Sequence, residues 1–247
     1  MTYIKTPEQI AILKKAGKIS KEILDASLKL CIEGNTTLSI NNLIESEMLK
    51  HKATPWFKEI NDYPYASCIS VNDVWIHGFP NETILKAGDI ISIDLGVKYK
   101  DMYVDHCKTV AVGKVDDKVS EFLKTGEASL AAAIAEFKEG NRVGDISYAI
   151  QTTIEQKNYS VIENFSGHGV GIRPHEEPQI MCYGTPGVGK RLKKGMVLAI
   201  EVMYTMGTPE NKVLKDGWTV TTGDGSLSAM FEHTVALTEN GPEILTI

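Results

Sequence analysis

The chain has 247 residues, of which 32 are acidic and 26 basic, and its formal charge of −6 argues against a general nucleic-acid binder, which would need a basic surface. Its four cysteines are dispersed without a Cys-x-x-Cys pair, which excludes a zinc ribbon or a thioredoxin motif and is typical of free thiols in a reducing compartment. The N-terminal residues lack the apolar segment of a signal peptide and no apolar run is long enough for a membrane helix, so we expect a cytoplasmic protein.

The first part of the chain predicts two helices. Thr6, Pro7 and Glu8 form a helix-start signal, and apolar residues at helical spacing continue to Leu28, with Gly34-Asn35 as the predicted stop. A second helix is predicted over residues 38–51, with Ser39 or Thr37 as its cap.

The remainder of the chain predicts strands around two further helices. Strands are expected over 66–71 and 89–112, helices over 118–139 and 143–157, and strands with glycine-rich loops over 195–206, 218–222 and 229–238. Gly241-Pro242 is expected to form the last turn. No linker or low-complexity stretch divides the chain, so we predict a single α+β domain over residues 1–247.

One segment occurs twice, at an offset of 107 positions. Residues 86–95 (KAGDIISIDL) and 193–202 (KKGMVLAIEV) each place a carboxylate six positions after a turn glycine. Strand alternation directs Asp94 and Glu201 away from the apolar face of each strand. Either two strands are similar by chance, or a half-domain is duplicated and its two acidic strands converge on one site.

Asp94 and Asp105 are candidates for a pair of carboxylates. If the hairpin between them turns at Tyr99-Lys100, the two residues lie directly opposite each other, with Cβ atoms about 4.5–5.5 Å apart. Two bare carboxylates about 4 Å apart repel by about 4 kcal/mol at an effective dielectric near 20, so the pair needs a counter-charge, for which a metal ion is the obvious candidate. The alternative is two solvated acids at a hairpin edge.

Glu201 and Glu232 each stand alone in an apolar segment, 196–203 (MVLAIEVM) and 230–237 (MFEHTVAL) respectively. A glutamate in such a strand is rarely buried unless it is paired or coordinated. Both residues are therefore candidate metal ligands. The alternative for either is an acid that faces water from an edge strand.

Three of the six histidines lie in loops bounded by glycine or proline: His77, His168 and His175. The glycines that flank His168 let backbone and ligand approach closely, and histidine is the commonest metal ligand. Functional residues concentrate in such loops. The other three histidines are expected at the surface or in packing: His51, His106 and His233.

Competing motifs are incomplete. The segment that begins at His175 (HEEPQ) lacks the second histidine of H-E-x-x-H, and no G-x-S-x-G occurs. Residues 184–190 (GTPGVGK) fit most of a P-loop, but Arg191 replaces the Ser or Thr that holds magnesium, and no apolar strand leads into the segment. Nucleotide binding is therefore not predicted.

Five candidate ligands in order resemble the metal ligands of the type 1 methionine aminopeptidases of bacteria, at very similar spacing: Asp94, Asp105, His168, Glu201 and Glu232. Supporting segments are HGFP from His77, SGHGVG around His168, HEEP from His175 and DGWT around Trp218. The resemblance covers essentially the whole chain, and the 26 positions from His175 to Glu201 leave no room for the helical insertion of type 2 enzymes. It implies the pita-bread fold, in which duplicated half-domains form a curved antiparallel sheet covered by helices.

This resemblance implies a metallo-exopeptidase that removes the initiator methionine when the second residue is small, through a water activated by two divalent ions (Co, Mn, Fe(II), Ni or Zn). Four carboxylates balance the charge of two such ions. Asp105 and Glu232 would bridge both ions, Asp94 would chelate one, and His168 with Glu201 would complete the other.

Further roles follow from the same resemblance. Glu201 would also accept the proton of the attacking water, and His175 would stabilise the oxyanion. His77 would contact the scissile amide. Four residues would form the pocket for the methionine side chain: Tyr63, Cys68, Phe165 and Trp218. The sequence departs from the usual bacterial pattern at four positions near these residues: Ile76, His106, Cys107 and Pro174.

Two alternatives remain open. Xaa-Pro peptidases of the same fold usually carry an extra N-terminal domain, for which the segment before His77 is too short. Non-catalytic binding modules on this fold typically lose metal ligands, and none of the five is missing. The resemblance further implies nascent N-termini and the ribosome as partners, no nucleic-acid substrate, no membrane and a monomer.

Overall fold

The computed structural model describes residues 3–60 and 63–247. Its four α-helices are α1 (Pro7–Leu28), α2 (Thr37–Lys50), α3 (Asp117–Ala135) and α4 (Val143–Glu155), and a short 3-10 helix covers Trp56–Glu59. Seven strands precede His175: β1 (Thr54–Pro55), β2 (Cys68–Val71), β3 (Val74–Ile76), β4 (Ile90–Tyr99), β5 (Met102–Ala111), β6 (Ser160–Val161) and β7 (Ser166–Gly169). Six follow it: β8 (Glu176–Met181), β9 (Val197–Thr205), β10 (Asn211–Val213), β11 (Val220–Thr222), β12 (Ser228–Thr238) and β13 (Gly241–Ile244).

The helix starts follow from capping chemistry. Thr6 Oγ1 accepts a hydrogen bond from the backbone N–H of Gln9, and Gln9 Oε1 accepts one from the Thr6 N–H, which is a reciprocal capping box before Pro7. α1 ends at Leu28, so the predicted stop at Gly34-Asn35 was wrong; the Gly34 N–H instead bonds the carbonyl of Leu85. α2 is capped by Thr36 rather than by Thr37 or Ser39, because the Thr36 hydroxyl accepts the N–H of Ser39.

Ten strands form one antiparallel sheet. Its main path runs β1-β4-β5-β12-β9-β7-β8, with β2 beside β4, β6 beside β9 and β13 beside β12. α1 packs on β4 and β5, and α3 packs on β9 and β12. The two copies of the repeated segment thus occupy matching places on either side of the β5–β12 pair, as expected for duplicated halves of a pita-bread fold. None of the helices in the described ranges combines the length and apolar character that a bilayer crossing requires.

The register of the β4–β5 hairpin differs from the prediction. The hairpin turns at Lys100 and Asp101, which have φ values of 50° and 57°, so Asp94 pairs with Cys107 and Asp105 pairs with Gly96. The predicted direct pairing of Asp94 with Asp105 was therefore wrong. A two-residue hairpin turn with left-handed backbone at both positions is of type I′, for which Asn-Gly is the usual sequence signal, and Lys-Asp does not carry that signal. The two aspartates still share a face, two positions apart.

A row of side chains crosses five strands on one face of the sheet. Its members, on β2, β4, β5, β12 and β9 in turn, are direct cross-strand neighbours: Cys68, Asp94, Cys107, Glu232 and Glu201. Paired residues of neighbouring strands share a face of the sheet. Three of the four candidate carboxylates therefore belong to one row, and Asp105 lies two positions from it.

His106 and His233 lie on the opposite face of the sheet, under the helices. Their ring centroids are 4.9 Å apart, and their Nδ1 atoms lie 3.4 Å and 2.8 Å from the hydroxyls of Ser20 and Thr246 respectively. His51 is partly exposed at the end of α2. None of these three histidines lines the cavity described next.

Candidate metal centre

A cavity of about 320 Å³ lies on the carboxylate face of the sheet. All eleven side chains that the sequence singled out line it: Tyr63, Cys68, His77, Asp94, Asp105, Phe165, His168, His175, Glu201, Trp218 and Glu232. The fold thus brings together residues from six strands and from the loops between strands, up to 169 positions apart in the chain. Their individual roles as ligands or substrate contacts stay predictions.

One ligand atom each from Asp105, His168 and Glu232 lies within 4.8 Å of the other two. His168 Nε2 is 3.8 Å from Asp105 Oδ2. The other ring nitrogen, Nδ1, lies 2.9 Å from the carbonyl oxygen of Gly169, which can only accept, so Nδ1 carries the proton and Nε2 is left with a free lone pair. A backbone partner that sets the tautomer in this way is typical of metal-binding histidines.

Buried carboxylate oxygens without hydrogen-bond partners line the cavity within the described residues. Glu232 is 1% exposed, and neither of its carboxylate oxygens has a hydrogen-bond partner among the described residues; the same holds for Oδ1 of Asp94. Buried carboxylates are normally hydrogen-bonded, paired or coordinated. These unpartnered oxygens, together with the free nitrogen of His168, fit divalent cations that prefer oxygen and imidazole ligands.

The pKa values of the cavity side chains also favour a bound cation. Burial is the main cause that raises the pKa of Asp94 to about 7 and that of Glu201 to about 8. Burial and the neighbouring carboxylates raise the pKa values of Asp105 and Glu232 well above their ordinary range. Burial lowers the pKa of His168 to about 3, which keeps its ring neutral. Without a counter-charge the carboxylates therefore do not all ionise together at neutral pH, and a bound cation would reverse this.

Two threonines hold β5 and β12 together beside the carboxylates. The Thr234 hydroxyl accepts the N–H of Asp105 and donates to its carbonyl, each at 2.8 Å. The Thr109 hydroxyl makes the matching pair of contacts with the backbone of Met230, at 2.7 Å and 3.0 Å. These side chains replace direct backbone bonds between the strands and fix the positions of Asp105 and Glu232. The sequence offered no signal for them beyond threonine in a strand.

His77 and His175 lie at the sides of the cavity. His77 has φ +57° in the loop after β3, and its ring centroid is 5.6 Å from that of Phe165 and 5.9 Å from that of Trp218. Burial, and to a smaller extent His175, lowers the pKa of His77 to about 4. The His175 ring is 4.4 Å from that of His168, and desolvation lowers its pKa. Both rings are neutral at physiological pH and can each donate one N–H.

The candidate methionine pocket has aromatic walls. Tyr63 is 3% exposed, its ring centroid is 5.1 Å from that of Trp218, and its hydroxyl donates to the carbonyl of Ser67. Cys68 lies beside Asp94 on the neighbouring strand. Phe165 contributes the wall next to His77. The pocket therefore opens directly onto the carboxylate row.

Trp56 is a cavity residue that sequence reasoning missed. Its indole N–H donates to the carbonyl of Val104 at 3.0 Å, and its ring centroid is 5.3 Å from that of His175. A Cβ at Gly96 would lie 2.2 Å from the Trp56 ring, so the ring packs directly on the β4 backbone. A glycine inside an apolar strand is a signal of such close approach, and Gly96 could have indicated an aromatic neighbour.

Comparison with known proteins agrees with this geometry. The model of metallopeptidase family M24 matches residues 11–239. The methionine aminopeptidase of Clostridium perfringens is 43% identical over 247 residues, covering 100% of this chain and 99% of the relative, and methionine aminopeptidase 1 of Bacillus subtilis is 43% identical with the same coverage.

Solved structures extend the comparison. The methionine aminopeptidase of Thermotoga maritima has a TM-score of 0.98 at 44% identity, covering 100% of this chain and 99% of that one. The prolidase from Pyrococcus furiosus shares the fold, with a TM-score of 0.79 at 24% identity, and the match covers 65% of its length. The chain belongs to metallopeptidase family M24 and, within it, to the methionine aminopeptidases.

Proposed function

We propose that this chain removes the N-terminal methionine from nascent proteins whose second residue is small, using divalent ions held in the carboxylate cavity. The observation that carries the proposal is the position of the unpartnered Glu232 and Asp94 oxygens, which lie in one cavity of about 320 Å³ with an aromatic pocket. A metal-ligating cluster beside an apolar pocket of limited volume suits an enzyme that cleaves after a single apolar residue.

Five residues are the proposed ligands of two ions: Asp94, Asp105, His168, Glu201 and Glu232. Four carboxylates and a neutral imidazole balance the charge of two divalent ions, and this donor set favours Mn, Fe(II) or Co among the candidates, which also include Ni and Zn. When bound, such ions supply Lewis acidity that lowers the pKa of a water molecule and polarises the carbonyl of the first peptide bond.

Three residues of the chain perform the remaining steps of the proposal. Glu201 accepts a proton from the attacking water and returns it to the leaving amine. His175 donates its N–H to the carbonyl oxygen as negative charge develops there, a contribution of about 3–4 kcal/mol in comparable sites. His77 contacts the nitrogen of the scissile bond and orients it.

The aromatic pocket supplies the proposed specificity. Tyr63, Phe165 and Trp218 offer ring edges and faces to a thioether side chain, and sulfur–aromatic contacts of this kind are favourable. Cys68 contributes a small side chain to the same cavity and leaves room for an unbranched chain. The cavity of about 320 Å³ then admits one residue before the scissile bond.

We also propose that residues 1–247 act as one catalytic domain, as a monomer, on chains emerging from the ribosome in the cytoplasm. The support is that one chain supplies every residue of the cavity, that the sheet is continuous across both halves, and that all four cysteines are free. Light scattering on the purified protein tests the monomer.

A metal-by-substrate matrix tests the function. The protein is treated with EDTA, supplied with Mn, Co, Fe(II), Ni or Zn in turn, and offered Met-Ala-Ser, Met-Leu-Ser or Ala-Pro peptides. We expect methionine release from Met-Ala-Ser with Mn or Co, little from Met-Leu-Ser and none from Ala-Pro. Cleavage of Ala-Pro without turnover of Met-Ala-Ser would instead indicate an Xaa-Pro peptidase, and failure to take up any ion would indicate a binding module.

A further inference from the structure

A buried ion pair joins the start of the chain to the loop that carries His175. Lys5 Nζ lies 2.6 Å from Glu176 Oε2, and the two side chains are 1% and 0% exposed. The pair spans 171 positions of sequence. Burial lowers the pKa of Lys5, while the bond to Glu176 opposes that shift.

The Glu176 carboxylate also binds the backbone of the loop that precedes it. Its second oxygen, Oε1, accepts the backbone N–H groups of Ile172 and Arg173 at 2.7 Å and 3.0 Å. The loop is further tied by the Gly171 carbonyl, which accepts the N–H of Tyr103 at 2.9 Å. Within residues 3–60 and 63–247, the hydrogen-bond donors to this carboxylate are the Lys5 ammonium and two backbone N–H groups of the loop that leads into His175.

Both the backbone and the side chain of Lys5 make further contacts. Its backbone N–H donates to the Gly195 carbonyl at 2.8 Å, and its ammonium also contacts the Tyr3 carbonyl at 3.3 Å. A Cβ at Gly171, where φ is +136°, would lie 2.6 Å from Lys5 Cε, so the lysine stem packs on the loop backbone. The Arg173 guanidinium lies 5.9 Å from the centre of the Tyr3 ring. The segment before α1 thus forms one side of the loop.

The loop places the His175 ring between two others. The ring centroids of His168 and Trp56 lie 4.4 Å and 5.3 Å from it, and the side chain is otherwise exposed at the cavity. No side-chain hydrogen bond holds the ring within the described residues. Its position therefore depends on the backbone conformation of residues 171–176, which is fixed by the Lys5–Glu176 pair, and neither member of that pair lines the cavity.

We propose that Lys5 is a positioning residue for His175 and acts through Glu176. A buried ion pair is weak support for stability, since desolvation of both ions offsets their attraction, but it imposes a definite geometry. The inference rests on the proposed role of His175 in methionine release. Lys5 lies outside the carboxylate cavity and contacts none of the five proposed ligands.

A double-mutant cycle tests the inference on the full-length, Mn-loaded protein with Met-Ala-Ser. Lys5→Met is made alone and in the His175→Ala background, and Glu176→Gln, which keeps an acceptor for the two backbone N–H groups, serves as a second, milder variant. Lys14→Met is the matched control, because Lys14 forms a 2.7 Å ion pair with Glu243 in which both side chains are over 40% exposed. Circular dichroism and Mn content are measured for each variant, and rates are expressed per Mn-loaded protein.

We expect Lys5→Met to lower kcat about tenfold and to change KM less than about threefold, since small displacements of a catalytic group have effects of this size or larger. In the His175→Ala background the same change should lower kcat less than about twofold, because the group that Lys5 positions is absent. Glu176→Gln should follow the same pattern with a smaller effect, and Lys14→Met should leave kcat unchanged in both backgrounds.

Two results would overturn the inference. One is an equal loss of kcat from Lys5→Met in both backgrounds, and the other is a lower Tm with unchanged kcat. If Lys5→Met does not fold, Glu176→Gln decides by the same comparison. If His175→Ala retains full kcat, the inference and the role of His175 are both wrong, whereas a wild-type protein that releases no methionine contradicts the proposed function itself.

Discussion

Glu201 and Glu232 lie directly opposite each other on β9 and β12, and both side chains are buried, with exposures of 5% and 1%. Like charges directly opposed on a sheet are destabilising. Neither oxygen of Glu232 has a hydrogen-bond partner in the part of the chain that the structure describes. The opposed pair therefore destabilises the metal-free protein, and the cation proposed to bind here would offset this repulsion.

Replacing Glu232 by Gln should have opposite effects on metal binding and on metal-free stability. Removing one of four clustered charges should raise the free energy of unfolding in EDTA by about 1 kcal/mol. The loss of a proposed bridging ligand should weaken Mn binding at least tenfold, by about 1.4 kcal/mol or more. Urea unfolding and equilibrium dialysis measure the two effects. Glu239→Gln, at an 80% exposed side chain, is the control and should change neither. A variant that is less stable in EDTA yet binds Mn normally would contradict the assignment.

The metal-free protein should lose stability as pH rises from about 6.5 to 8. An unfolded histidine is about half protonated at pH 6.5 and largely neutral at pH 8. The five histidines whose pKa is lowered in the fold therefore favour folding at higher pH by about 2 kcal/mol together: His77, His106, His168, His175 and His233. The raised pKa values of Asp105 and Glu232 oppose this contribution. Asp94 and Glu201 are ionised in the unfolded chain, but in the metal-free fold their pKa values are about 7 and about 8. The folded state therefore binds more protons, and its stability falls as pH rises.

Urea unfolding in EDTA at pH 6.5, 7.25 and 8 measures this dependence, and a loss of about 2 kcal/mol is expected. In the presence of saturating Mn the loss should be smaller or reversed, because metal binding keeps the carboxylates ionised. Equal slopes with and without Mn would show that these carboxylates do not hold the ion.

His77→Ala should separate catalysis from metal binding. His77 lines the cavity and packs near Phe165 and Trp218, but it is not one of the proposed ligands. We expect kcat for Met-Ala-Ser to fall about 10²-fold with Mn content unchanged, since removal of an orienting or hydrogen-bonding group has effects of this order. His51→Ala, at the end of α2, is the matched control. Loss of Mn from His77→Ala would place this histidine in the metal site instead.

Trp218→Ala should act mainly on substrate binding. Its ring forms part of the pocket wall with Tyr63. Loss of this apolar contact should raise KM for Met-Ala-Ser about 10- to 100-fold, with a smaller effect on kcat and none on Mn content. Tyr183→Ala, at a 41% exposed aromatic residue outside the cavity, should leave KM unchanged. An unchanged KM for Trp218→Ala would exclude this wall from methionine recognition.

The sequence predicted the carboxylate residues but not the way in which they meet. Spacing and alternation placed Asp94 and Glu201 on one face, because side-chain direction in a strand depends only on parity. The register of the hairpin is set by the turn at Lys100-Asp101, where the backbone is left-handed at both residues. Lysine and aspartate do not predict such a turn, and the predicted partner of Asp94 was therefore wrong. The glycines and prolines around His168 and His175 predict loops, whereas the structure has strands β7 and β8 there, because pairing within the sheet stabilises them.

Contacts between residues that are distant in the sequence could not be predicted, for a different reason. Lys5 and Glu176 are ordinary charged residues in the sequence, and only the fold buries them together. The same holds for the Thr234 hydroxyl that replaces backbone bonds to Asp105. Such partners have no local pattern, because their roles depend on the approach of segments that are distant in the chain.

The most direct test of the account is a Mn titration of EDTA-treated protein in which bound metal and methionine release from Met-Ala-Ser are measured on the same samples. We expect no release without metal, release that rises as the sites fill, and a Glu232→Gln protein that needs at least tenfold more Mn. Full activity in EDTA, or Mn binding that leaves the protein inactive on Met-Ala-Ser, would contradict it.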